Sequence, residues 1–158
     1  MTEPYYKDES VIIYHADCRD VLAELGSFDL LLTDPPYGIG ADKNKRANRQ
    51  DGKAVLPSRD YGVGNWDGQP VGPLLVSSMR ELCSKQIIFG GNYYNLPPTA
   101  CWLVWDKQNG QNGYADCELA WTNLNKAVRM KKHQWHGMIR KNNETREHPT
   151  QKPLEVIE

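Results

Sequence analysis

No stretch of this chain stays apolar long enough to cross a bilayer as a helix. The opening residues, MTEPYYKDES, carry no basic patch followed by an apolar core and a small-residue cleavage site, so no secretory signal peptide is expected there. Cysteine is sparse and scattered. Cys18, Cys83, Cys101 and Cys117 stand 65, 18 and 16 residues apart, too far for a zinc knuckle or a redox dithiol. They read as reduced thiols, mostly core, in a cytoplasmic protein. No His and Cys cluster asks for a catalytic metal, and there is neither an internal repeat nor a low-complexity tract. Net charge is nearly absent as well, at −1, but that balance conceals two basic segments on an acidic body. Residues 43–59 hold Lys43, Lys45, Arg46, Arg49, Lys53 and Arg59 against Asp51 alone, and residues 126–146, with Lys131 and Lys132 among them, hold seven basic side chains against Glu144. Such segments suit a polyanion, because neutralising phosphates supplies much of nucleic-acid affinity. They equally suit solvated loops.

What is present is a chain of 158 residues, 39% hydrophobic and 25% charged, enough for one domain with its own core. Residues 11–14 (VIIY) read as a short strand. Asp17 then precedes Val21, Leu22 and Leu25 at helical spacing. Residues 28–33 (FDLLLT) form a second strand, and its unbroken leucines predict a place in the middle of a sheet covered by helices. Residues 41–68 are polar and Gly-rich and read as a long, mobile loop. A helix is expected from Pro73 to about residue 84, with Leu74, Leu75, Met79, Leu82 and Cys83 as its apolar side. Strands follow at 86–89, 101–105, 118–122 and 126–130, the last two around the turn residues Asn123 and Asn125. The alternation predicts an α/β fold: a mainly parallel sheet with helices on both faces and antiparallel strands near one edge.

DPPYGIG, residues 34–40, closes the second strand. Ligands of open parallel sheets bind beyond the carboxyl ends of strands, where Asp34 stands. Pro35 and Pro36 each fix a dihedral and lack an N–H, so the turn is stiff and presents acceptors. A rigid acceptor cluster beside the ring of Tyr37 suits a planar conjugated amine, whose lone pair is delocalised and poorly nucleophilic. Asp34 and the Pro35 carbonyl would accept its two hydrogens, at roughly 1.5–3 kcal/mol for each bond to a charged group. Tyr37 would stack on its ring for roughly 1–3 kcal/mol.

DPPY after an apolar strand resembles the catalytic motif of the DNA amino-methyltransferases, which modify the exocyclic nitrogen of adenine or, less often, cytosine. HADCRDVL (15–22), WLVWDKQNG (102–110), CELAWTN (117–123) and HPTQKPLEVIE (148–158) are similar to further stretches of that family. The resemblance implies a Rossmann-like methyltransferase fold, S-adenosylmethionine as cofactor and DNA as partner. It gives Asp34, Pro35, Pro36 and Tyr37 the catalytic work, and Asp17, Thr150, Gln151 and Lys152 the cofactor. Trp105 or Trp121 would stand near the base pocket. Asp17 also reads as an ordinary helix N-cap. For DNA contact the expectation falls on Lys43, Lys45, Arg46, Arg49, Lys131 and Lys132.

The order of motifs matches the permuted subgroup, in which the Gly-rich cofactor loop follows the catalytic motif. No acidic-Pro-Phe-x-Gly-x-Gly stretch occurs in the chain, so residues 1–158 are expected to be a catalytic half, truncated before that loop, with exposed apolar edges that favour self-association or a second chain. Two alternatives remain at this point. One is methylation of another planar nitrogen, in cytosine, an RNA base or a glutamine amide; the other is a nucleic-acid-binding module or inactive remnant.

Overall fold

A computed structural model of the chain describes residues 2–41, 65–110, 115–136, 139–140, 147–148 and 150–158. Lys43, Lys45, Arg46 and Arg49, with most of the 41–68 loop, lie outside the described residues. Strands β1 (Tyr6–Lys7) and β2 (Ile12–Ile13) form a small antiparallel hairpin of their own. Its turn is tied by the Asp8 carboxylate, which accepts from the Ser10 and Val11 amides at 2.7 Å. Helix α1 (Cys18–Val21) follows and tightens into a 3-10 turn over Leu22–Glu24.

Strand β3 (Phe28–Thr33) then pairs in parallel with β4 (Cys83–Phe89), Phe28 opposite Cys83 and Thr33 opposite Ile88. Parallel neighbours need a crossover. Here it contains α2 (Pro73–Glu81), begun by Pro73 in the first turn behind Gly72 and burying Val76 and Met79 one turn apart. Leu74, expected on the apolar side, is instead 84% exposed. The remaining elements are β5 (Trp102–Asp106), β6 (Cys117–Thr122), β7 (Arg129–Lys132), a two-stranded pair β8 (Trp135–His136) and β9 (Ile139–Arg140), and α3 (Leu154–Ile157).

The main sheet runs β3-β4-β6-β5-β7. The α/β expectation holds, but the sheet is mixed rather than mainly parallel. β3–β4 and β5–β7 are parallel pairs, while β6 is antiparallel to both β4 and β5 and sits in the centre, not near an edge. Nor do helices cover both faces: among the described residues they are few, α1 and α3 having four residues each and α2 nine. The physical reason for the central β6 is visible at its end. Asn123, expected to turn a hairpin, is bound to β4 instead, its Oδ1 accepting from the Gln86 amide at 2.9 Å and its Nδ2 donating to the Ser84 carbonyl at 2.8 Å. The chain then passes over to β7, which begins three residues later than the 126–130 strand expected from the sequence.

The core lies in the middle three strands. Ile88, Phe89, Cys101, Trp105, Ala120 and Trp121 are all buried, and Thr122 is buried with its hydroxyl donating to the Cys101 carbonyl at 2.8 Å. Cys83 and Cys101 are buried, but Cys18 and Cys117 are exposed, so the cysteines divide evenly rather than being mostly core. β3 departs furthest from expectation. It is an edge among the described strands, and Phe28, Leu30 and Leu32 are 51%, 46% and 41% exposed. Among the described residues no helix is long and apolar enough to cross a membrane.

Candidate active site

The turn after β3 is held from three directions. The Asp67 carboxylate, buried, accepts from the Gly38 and Ala41 amides at 2.7 Å each, while its carbonyl accepts from the Gly40 amide at 3.0 Å. The Tyr94 hydroxyl lies 2.9 Å from the Pro35 carbonyl and 2.8 Å from that of Pro36. Gly38 has φ +75°, and a Cβ there would come within 2.4 Å of Pro70 Cδ, so glycine is required on both counts. The corner is thus rigid for more reasons than its two prolines.

Tyr37 is packed as well as placed. Its ring stacks on Tyr93 with centroids 4.9 Å apart and planes 16° from parallel, and meets Tyr94 edge-on at 6.5 Å. Gly90, at φ +66°, lets the ring lie against bare backbone: a Cβ there would fall 2.1 Å from Tyr37 Cε1. The Tyr37 hydroxyl donates to Asp34 Oδ1 at 2.5 Å. Burial first, then that bond to Asp34, pushes the Tyr37 phenol up from its ordinary range. Burial first, then the nearby Asp34 charge, does the same to Tyr94. Both therefore remain donors at neutral pH.

Asp34 faces a cleft of about 680 Å³ walled by Trp66, Trp105, Trp135 and Tyr37 and floored by charge. Lys152 Nζ donates to Asp34 Oδ2 at 2.7 Å across 118 residues of sequence, and lies 3.1 Å from Glu118 Oε2. Lys107 Nζ closes the chain at 2.6 Å from Glu118 Oε1. The Lys152 side chain is only 6% exposed and its head lies over the rings of Tyr37 (5.6 Å) and Phe89 (5.3 Å). Burial pushes the Glu118 carboxyl up, but the Lys152 and Lys107 ammoniums outweigh it and hold the group below the usual carboxylate value.

The expected cofactor residues are not brought together. Thr150, Gln151 and Lys152 line the cleft of Asp34. Gln151 Oε1 accepts from the amides of Glu147 (2.6 Å) and His148 (3.4 Å), shaping its own loop, and Thr150 Oγ1 lies 3.0 Å from His148 Nδ1. Asp17 lines a second, more open cleft of about 1050 Å³ between α1 and α2. There it caps α1, accepting from the Arg19 amide at 2.9 Å, and pairs with the Arg19 side chain. The hydrogen bond from the Arg19 side chain, followed by that from its amide, lowers the Asp17 carboxyl to about 2. Pro36 and Trp66 border both clefts.

Of the two tryptophans expected near a base pocket, Trp105 lines the Asp34 cleft, with its indole N–H on the His133 carbonyl at 2.9 Å. Trp121 is core, donating to the Pro97 carbonyl at 2.8 Å. Lys131 and Lys132 are exposed on β7, the strand at the other edge of the sheet from β3, and do not line the cleft. Asp67, Tyr94, Lys107 and Glu118 escaped the sequence reading. Glu118 alone left a signal there, as the one charged residue in the CELAWT strand.

No family model matches the chain, and no solved structure matches it. Among curated proteins it is similar to the type II methyltransferase M.ScaI of Streptomyces caespitosus, with 40% identity over 42 residues. That stretch is 25% of this chain and spans 14% of the length of the relative.

Proposed function

We propose that this chain carries the catalytic motif of a DNA amino-methyltransferase, with a Rossmann-like methyltransferase fold for its α/β unit and adenine as its target. The observation that carries the reading is the Asp34 carboxylate, fixed at the end of β3 beside the carbonyls of two prolines and opening into an aromatic cleft. The partial likeness to a methyltransferase supports the reaction class. Trp66, Trp105 and Trp135 supply flat apolar walls of the kind that receive an extruded base, whose unstacking costs a few kcal/mol. Within that cleft Asp34 and the Pro35 carbonyl accept the two hydrogens of the amine. They hold the nitrogen in place and turn its lone pair outward, which is a gain in orientation.

S-adenosylmethionine, when bound, supplies the electrophilic methyl group. What supports it here is surface rather than free polar groups: two clefts share Pro36 and Trp66, with Asp17 on one and Thr150 to Lys152 on the other, so a ligand longer than a single base would have apolar walls on both sides of the catalytic turn, and would have to compete with Arg19 for Asp17 and with Asp34 for Lys152. DNA contact falls to Lys131 and Lys132 on β7 together with Lys43, Lys45, Arg46 and Arg49, and the protein acts in the cytoplasm. The reading is tested by incubating the chain with DNA and S-adenosylmethionine and analysing a nucleoside digest for N6-methyladenine, with RNA and protein controls. Methylation only in RNA or protein, or DNA binding without any transfer, replaces it.

A further inference from the structure

The corner that should receive an amine already holds one. Both oxygens of Asp34 carry donors, the Tyr37 hydroxyl on Oδ1 and the Lys152 ammonium on Oδ2. A buried ammonium released from its carboxylate would be left unpaired at a cost of several kcal/mol, so an arriving base could not simply displace it. Glu118 removes that obstacle. Its Oε2 is buried and already ion-paired with Lys152 Nζ at 3.1 Å, but without a well-aligned hydrogen bond, so it is an acceptor that can take the ammonium over completely. Lys107, 2.6 Å from the other oxygen, keeps Glu118 charged and in place.

Resting on the methyltransferase reading, we propose that Asp34 and Glu118 are alternate seats for the Lys152 ammonium. Lys152 occupies the catalytic carboxylate while the cleft is empty and retreats to Glu118 when the target amine takes Asp34 Oδ2. Two features make the movement a local one. The backbone around Lys152 is pinned, with Pro153 buried and α3 fastened to the sheet by the His133 Nδ1 to Glu155 Oε2 contact of 2.9 Å. The head also travels over aromatic faces, those of Tyr37 and Phe89, that favour a cation throughout. Glu118 is accordingly a positioning residue, acting on Asp34 through Lys152. The arrangement leaves the buried Lys152 ammonium compensated at either stage.

The test is acetylation of the whole chain by a neutral succinimidyl ester, read by peptide mass spectrometry, with Lys131 as the exposed reference and adenosine as the probe for the amine. Lys152 should be slow to label in the wild type, in Asp34→Asn and in Glu118→Gln, since one seat suffices, and should label as fast as Lys131 in the double variant. Saturating adenosine should uncover Lys152 in Glu118→Gln but leave it covered in the wild type and in Asp34→Asn. Should the double variant fail to fold, the adenosine comparison of the single variants decides. Equal labelling of Lys152 in Glu118→Gln and Asp34→Asn under adenosine, or full labelling in either single variant without it, overturns the proposal. A wild type that shows the two-seat protection yet transfers no methyl group to DNA sinks the functional reading and leaves the seats standing; methyl transfer with the wrong labelling pattern does the reverse.

Discussion

The two clefts on either side of Pro36 hold carboxylates that look alike and are held by opposite means. Asp34 and Glu118 share the buried Lys152 ammonium, which lies against aromatic rings, whereas Asp17 pairs with Arg19 in the open, where the guanidinium is 72% exposed. Both Glu118 and Asp17 sit below their ordinary pKa, yet only in the first cleft is the cationic partner, Lys152, buried. A depressed carboxylate is therefore no measure of what it contributes; burial of its partner is. An exposed ion pair is screened and is worth little, while an interior one cannot lose a member without stranding the other.

The sharpest way to break the contrast is at Asp34. Asp34→Ala should cost about 10²–10³-fold or more in kcat for methyl transfer, the scale of losing one preorganised polar group at a reacting centre, measured by label transfer to DNA. Asp17→Ala should leave kcat near wild type and act only on the KM for S-adenosylmethionine. Next comes Gly90→Ala, which combines a left-handed backbone with a Cβ aimed at the Tyr37 ring. It should destabilise the fold by about 1–3 kcal/mol, visible in denaturant melts, and should lower activity further by dislodging Tyr37. Glu118→Gln should cost about 1–3 kcal/mol by leaving Lys107 without its carboxylate, Lys152 keeping Asp34.

Acid sharpens the same comparison more gently. Because the folded Glu118 carboxyl lies below its ordinary value of 4.5, its contribution to stability is whole above that value and is lost as pH falls through the lower folded one. The Tm gap between wild type and Glu118→Gln should therefore narrow as pH drops below 4.5. For Asp17 the same sign applies, in the window from 3.8 down to about 2, but its exposure predicts a Tm gap between wild type and Asp17→Asn that is small at neutral pH and closes without a resolvable step.

Local chemistry was legible in the sequence; long-range partnership was not. Asp34 at the end of a strand and Asp17 as an N-cap could be read from neighbours a few residues away, because prolines and capping geometry act over that distance. The position of β6 could not, since CELAWT carries no mark of which strands will flank it, and Asn123 looks the same whether it turns a hairpin or fastens to Gln86 and Ser84. FDLLLT misled for a related reason: leucines on both faces report that a strand tolerates cover, not that cover is supplied within the same chain segment. Lys152 was assigned to the cofactor, and its meeting with Asp34 across 118 residues had no local trace at all.

Tyr94 has one proton and two carbonyls to give it to. Whichever of Pro35 and Pro36 the hydroxyl serves, the other is left relatively electron-rich, and Pro36 already receives the Val71 amide at 3.3 Å. A rotation about a single C–O bond thus switches where the strand-end turn is most thirsty for hydrogen, and a guest bearing two N–H groups would be welcomed at Pro35 when the phenol leans toward its neighbour. In Tyr94→Phe that choice disappears: the Pro35 oxygen stands open at all times while Pro36 keeps only the Val71 amide, and discrimination between donor-rich and donor-poor guests should fall with it.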